Sequence, residues 1–164
     1  MVYNTTIQSK IDYGLLLWGH THSTYVETIQ KMQNRACRLI TRQYDITISS
    51  LFIIHSLHLL NVSERTNYFT NVMSHKIVNC TAPSYLSSLF EQVRSYHSRS
   101  TRQDSNYIVP KPNMKSYRRS FSYQAPHLFN NLPQNIRNIT NELTFKEMLR
   151  NRTMLICNNS CILL

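Results

Sequence analysis

The clearest helical pattern of the chain lies at residues 24–42, Thr24-Tyr-Val-Glu-Thr-Ile-Gln-Lys-Met-Gln-Asn-Arg-Ala-Cys-Arg-Leu-Ile-Thr-Arg42. Its apolar residues recur at alternating steps of four and three, which places them in one stripe along a helix. This pattern predicts a helix over residues 24–42 whose core-facing stripe consists of Tyr25, Ile29, Met32, Ala36 and Leu39.

A second row in the same segment consists of cations: Lys31, Arg35, Arg38 and Arg42. At 100° per residue these four positions span about 60° of the helix circumference. The acidic residue closest to this row, Glu27, precedes it by one turn, and no acid lies within it. Two interpretations stay open, an ordinary solvated face and a surface that binds the phosphates of a nucleic acid.

The remaining pattern predicts a mainly α protein, a small helical bundle with an extended basic segment and room for a short β-hairpin near residues 105–123. Asn61 and Glu64 are spaced as a capping box at the start of a helix that runs to about residue 79, and Thr144 and Glu147 predict a second box. We expect four segments, at residues 1–60, 61–92, 93–125 and 126–164.

Residues 94–123 alternate cations with aromatic residues, and Asp104 is the one acid among them. Pro110 and Pro112 exclude a helix there, so the backbone should be extended or looped. Cations can pair with phosphates while aromatic faces stack on bases, although a basic linker whose aromatics pack on nearby helices fits equally well. The candidate nucleic-acid contacts in this segment are Arg99, Arg102, Tyr117, Arg118 and Arg119.

Composition excludes several other classes of protein. The 164 residues carry a formal net charge of +10 and contain only two glycines, so neither a P-loop nor a dinucleotide fingerprint is possible. The isolated aspartates argue against two-metal catalysis, and the scattered cysteines indicate free thiols. We therefore expect no catalytic residues, no metal, no cofactor and no small-molecule substrate. Without a leader or a membrane-length apolar run, the expected location is intracellular, nuclear or cytoplasmic, with no membrane partner.

A set of short motifs in residues 3–150 resembles the region after the polymerase core in LINE-like, non-LTR retrotransposon reverse transcriptases of the Jockey or RTE kind. The motifs, in chain order, are Tyr3-Asn4 through Ile7, Ile11-Asp12-Tyr13-Gly14, Trp18-Gly19, Ile29 through Ile40, Pro83-Ser84-Tyr85-Leu86, Thr101-Arg102, Arg119 through Tyr123, Phe129-Asn130-Asn131-Leu132-Pro133 with Ile136-Arg137, and Phe145-Lys146. Phe129 stands where this family usually has Trp.

The resemblance implies a thumb and a helical C-terminal extension that grip the template–primer or the element's RNA. The family's polymerase core, with its metal-binding Asp pair, and its endonuclease have no counterpart in the sequence. The resemblance therefore implies a catalytically incomplete C-terminal fragment of an RNA-directed DNA polymerase. The alternatives are a non-enzymatic interaction module that binds an acidic protein and a decayed open reading frame without a function.

Overall fold

The computed structural model describes residues 2–95 and 104–161, with side chains described as far as residue 154. The chain is mainly helical, as predicted. It divides into two compact units, Met1–Tyr68 with Leu149–Leu164, and Phe69–Met148. Each unit is described separately below. The four-segment organisation stays a prediction.

The first unit begins with a π-helical turn at Asn4–Gln8 that leads into α1 (Ser9–Asp12). After it come α2 (Leu15–Trp18), α3 (Ser23–Thr41), α4 (Ser50–Ser56), the first part of α5 (Val62–Val78) and the last part of α8 (Glu142–Cys161). Gly14 separates α1 from α2 with a φ of +66°, a left-handed conformation that glycine adopts without a steric penalty.

Helix α3 forms within one residue of the predicted bounds at each end, but its predicted core-facing stripe is wrong. The fully buried side chains are Gln33 and Cys37, whereas Tyr25, Met32 and Leu39 are exposed over 71, 64 and 65% of their surfaces. Gln33 can be buried because its side-chain amide has a hydrogen-bond partner: Nε2 donates to the Leu60 carbonyl at 3.0 Å. A pattern based on hydrophobicity alone has no means of detecting this contact.

The start of α5 is fixed by a capping box, as predicted. Asn61 Oδ1 accepts from the Glu64 backbone N–H at 2.8 Å, and Glu64 Oε2 accepts from the Asn61 backbone N–H at 2.9 Å. The Val62 N–H at this helix end, which has no acceptor within α5, donates to Gln30 Oε1 on α3 at 2.8 Å. Side-chain amides of α3 therefore tie this helix to the N-terminus of α5.

The second unit contains the rest of α5, α6 (Phe121–Asn130), α7 (Gln134–Arg137), the first part of α8 and 3-10 turns at Ser84–Leu89, Val93–Ser95 and Tyr117–Arg119. Phe129 lies at its centre, with edge-to-face contacts to Phe90 and Tyr107. His75 stacks on Phe145 at a centroid distance of 4.1 Å and donates from Nε2 to the Ile139 carbonyl at 2.7 Å. Aromatic packing therefore accounts for much of this core.

The β-hairpin considered for residues 105–123 does not form in the part of the chain that the structure describes, where one antiparallel bridge joins Gln92 to Tyr107. The backbone N–H and carbonyl of Tyr107 are instead bonded by the Asn130 side-chain amide at 2.8 and 2.7 Å. Pro110 and Pro112 also remove two donors that a strand ladder needs. The Asn130 side-chain amide thus takes the backbone hydrogen bonds of Tyr107, and the two prolines cannot donate to a neighbouring strand.

The second predicted capping box is also wrong. Helix α8 begins at Glu142, and Asn141 Oδ1 accepts from the backbone N–H groups of Leu143 and Thr144 at 2.9 and 3.4 Å. Asn141 and Thr144 are both competent caps, and the earlier one starts the helix.

Candidate nucleic-acid interface

Three of the predicted cations form one exposed row on α3, which we call the α3 cation row: Lys31, Arg35 and Arg42. All three side chains are exposed, and they lie on the side of the helix away from buried Gln33 and Cys37. From helix geometry Lys31 and Arg35 lie about 40° apart on the circumference, and the row extends about 16 Å to Arg42, the residue after the last residue of α3. Arg42 ends the helix in a left-handed conformation, with a φ of +54°.

The α3 cation row has no counter-ion: none of its three members pairs with a carboxylate among the described residues. Two acids of the first unit are engaged elsewhere, whereas exposed Glu27 lies one turn before Lys31. Asp12 Oδ2 accepts from Arg65 Nη2 at 2.5 Å, and Glu64 Oε2 lies 3.3 Å from His55 Nε2 besides its role in the capping box. The positive charge of the row is therefore available to a polyanion.

Arg38, the fourth predicted contact on α3, has a different environment. Its guanidinium donates to the carbonyls of Asp45 and Ile48 at 2.6 and 2.7 Å and lies 3.2 Å from Ser50 Oγ. These bonds hold the loop between α3 and α4, next to a small apolar cluster of Cys37, Ile53 and Ile54. We therefore leave Arg38 out of the α3 cation row.

The same loop contains Asp45, whose carboxylate is stabilised by hydrogen bonds from a neighbouring residue. Asp45 Oδ1 accepts from the backbone N–H and the hydroxyl of Thr47 at 2.9 and 2.8 Å. Hydrogen bonding from the Thr47 backbone, then from its hydroxyl, holds the pKa of Asp45 below its ordinary value, with a smaller contribution from the Arg38 charge. Asp45 is thus a loop-forming anion that already has its donors.

A second basic surface lies in the second unit, on residues 111–119, and we call it the 111–119 surface. Lys111, Lys115, Arg118 and Arg119 are exposed, with Tyr117 38% exposed beside them. Gln124 Nε2 donates to the Arg118 carbonyl, and Ser120 Oγ to the Tyr117 carbonyl, both at 2.7 Å. These bonds fix the 3-10 turn that presents Tyr117, Arg118 and Arg119.

The structure thus brings together part of the predicted set. Lys31 and Arg35 share one face of α3 and Arg42 is exposed at its end, while Tyr117, Arg118 and Arg119 share one turn. Arg99 and Arg102 lie outside the described residues. Sequence reasoning missed the exposed apolar side chains of α3, because the heptad spacing of Tyr25, Met32 and Leu39 is the same for a buried stripe and for an exposed one.

In comparisons with known proteins, no protein-family model, no curated protein and no solved structure matches the chain. Within the described residues, no three His, Cys, Asp or Glu side chains come close enough to hold a metal ion. None of the described helices is long and apolar enough to span a membrane.

Proposed function

We propose that this chain binds RNA, or an RNA/DNA template–primer, through the sugar–phosphate backbone and does so without catalysing a reaction itself. The observation that carries the proposal is the α3 cation row, three exposed cations on one helix face with no acidic partner among the described residues. Such a row suits a strand of regularly spaced phosphates, and a net charge of +10 favours a polyanionic partner overall.

Two further features support the proposal. The 111–119 surface offers four more exposed cations beside Tyr117, a combination of phosphate contacts with a stacking ring. The resemblance of the sequence motifs to non-LTR reverse transcriptases points the same way, because the region they resemble would grip the template–primer next to the polymerase core.

The test is the salt dependence of binding. Affinity for a 5′-labelled 20-nucleotide RNA is measured by fluorescence anisotropy over a range of salt concentrations. For a single strand, log K should fall against log salt with a slope of about −0.7 per phosphate contacted. The triple variant Lys31→Gln/Arg35→Gln/Arg42→Gln should reduce the steepness of that slope by about 2.

Lys10 provides the matched control, because it is an exposed cation of the first unit that lies on α1 instead of α3. Lys10→Gln should leave the slope nearly unchanged. A flat salt response of the unmodified protein, or equal effects of the α3 and Lys10 changes per charge removed, would contradict the proposal.

A non-enzymatic module for an acidic protein is the second candidate, and exposed Tyr25, Met32 and Leu39 favour it, since an apolar row at heptad spacing also suits a partner helix. Salt weakens both kinds of complex, so competition decides between them. Heparin or unlabelled RNA should displace the labelled RNA under the first proposal, whereas a bound acidic protein should resist challenge by RNA under the second.

A further inference from the structure

Helix α3 exposes a second row next to its cations, and we call it the α3 apolar row: Tyr25, Met32 and Leu39. These side chains are 71, 64 and 65% exposed although each is large and mostly apolar. They are spaced seven residues apart, about 10 Å along the axis, with a drift of about 20° per step. Three large apolar side chains exposed on one side of a helix indicate a surface that binds a partner.

The position of the apolar row relative to the cations narrows the choice of partner. Its centre lies about 80° around the helix from the centre of the α3 cation row. The two rows overlap over residues 31–39, and Tyr25 lies about 9 Å along the axis before Lys31. A ligand that covers this side of α3 therefore meets a strip of positive charge and, parallel to it, a strip of apolar surface that contains one phenol ring.

We propose that this two-row face recognises single-stranded nucleic acid in preference to duplex; this inference rests on the proposed function. A single strand carries phosphates along one edge and unstacked base faces along the other. The phosphates would pair with Lys31, Arg35 and Arg42, while a base stacks on Tyr25 and others pack on Met32 and Leu39. Base–aromatic stacking tolerates any sequence, because every base has a π-face.

A duplex can contact the α3 cation row but not the α3 apolar row. Its base faces are stacked inside the helix, so its outer surface offers phosphates to the cations and nothing apolar to Tyr25, Met32 and Leu39. The apolar row would then stay in water or lie against charged phosphates, which costs desolvation without a compensating contact. The difference in free energy should therefore favour the unpaired strand.

Pairing of the α3 apolar row with a second copy of the chain is disfavoured by charge. The same helix face would bring two cation rows together, in a protein with a net charge of +10. A nucleic acid supplies the opposite charge along its whole length, which is the complementarity that this face requires.

The experiment compares the full chain on two probes at one salt concentration, a 20-nucleotide single-stranded RNA and the same RNA annealed to its complement. We expect at least 10-fold tighter binding of the single strand. Tyr25→Ser should weaken single-strand binding by about 5- to 150-fold, the range for loss of one stacked base, and change duplex binding less than 2-fold. Met32→Gln/Leu39→Gln should act in the same direction.

Tyr13 provides the matched control for Tyr25, because it is 85% exposed in the same unit but precedes α2. Tyr13→Ser should leave both affinities within 2-fold, and circular dichroism should show that each variant keeps its helix content.

Three outcomes are informative. Equal affinity for the two probes with a steep salt slope overturns the single-strand preference and leaves the proposed function standing, whereas no binding of either probe removes both. A change of sedimentation mass in Tyr25→Ser or Met32→Gln/Leu39→Gln, with single-strand affinity unchanged, would also overturn the preference and assign the apolar row to protein–protein contact.

Discussion

Gly19 packs directly against Thr66, and the space between them has no room for a methyl group. A Cβ on Gly19 would lie 2.5 Å from Thr66 Cγ2 and 2.5 Å from the Leu15 carbonyl oxygen, well inside van der Waals contact. The contact joins the end of α2 to the buried face of α5 within the first unit.

Replacement of Gly19 by alanine should therefore destabilise the protein by about 1–3 kcal/mol, since the added methyl group must displace packed atoms. Urea unfolding followed by circular dichroism measures the loss. Thr66→Ala removes two of the atoms that the methyl would meet, so Gly19→Ala should cost less in that background than alone. Gly14→Ala is a useful comparison, because its Cβ has space and only its φ of +66° is strained. Strictly additive effects of Gly19→Ala and Thr66→Ala would contradict this account.

Arg38→Lys keeps the positive charge of Arg38 and should weaken its hydrogen bonds to the loop between α3 and α4. Lysine keeps the positive charge but cannot span the carbonyls of Asp45 and Ile48 with a rigid fork, so unfolding free energy should fall by about 1–2 kcal/mol. RNA affinity should change less than 2-fold. Arg35→Lys is the matched variant on the exposed face, with an expected stability change within about 0.5 kcal/mol. Equal stability of the two variants would show that Arg38 does not hold the loop.

Gln33→Leu should destabilise the chain even though it adds a hydrophobic residue to a buried position. The substitution removes the donor to the Leu60 carbonyl and also the acceptor that Gln30 Nε2 uses at 3.0 Å. A buried carbonyl left without its partner costs about 1–3 kcal/mol. Met32→Leu, one residue earlier on the exposed face, should stay within about 0.5 kcal/mol. Thermal unfolding of both variants provides the comparison, and a more stable Gln33→Leu would refute the role given to the amide.

Stability should depend on pH through His20, which is half-buried after α2. Burial disfavours the imidazolium and lowers the pKa of His20 from its ordinary value of 6.5. The unfolded chain therefore takes up a proton near pH 6.5 that the native state resists, so the free energy of unfolding decreases as the pH falls through that value. His20→Asn should flatten the profile measured between pH 7.5 and 5.5. A profile that keeps the same slope in His20→Asn would contradict this account.

The sequence predicted helix positions more reliably than it predicted helix faces. The bounds of α3 and the Asn61–Glu64 box are confirmed because they depend on local spacing and on side chains that reach their own backbone. The buried face of α3 was not predictable, since it depends on Leu60 and Val62 meeting Gln33 and Gln30 from a distant part of the chain.

The candidate site shows the same division. Helical spacing grouped Lys31 and Arg35 on one exposed side, but it gave no sign that Arg38 would bind loop carbonyls seven and ten residues away. Whether a cation faces solvent or supports a loop is decided by the path of the backbone after the helix. Which polymer the exposed cations bind stays a prediction that the binding experiments test.

The reversed burial of α3 has a consequence for how its positions tolerate change. An amide that serves a particular carbonyl admits few replacements, whereas an apolar side chain in water can be exchanged for many others without loss of folding. A saturation scan of residues 23–41 scored for folded protein should therefore be strict at Gln30 and Gln33 and permissive at Met32 and Leu39. A hydropathy plot would predict the reverse order of tolerance to substitution at these four positions.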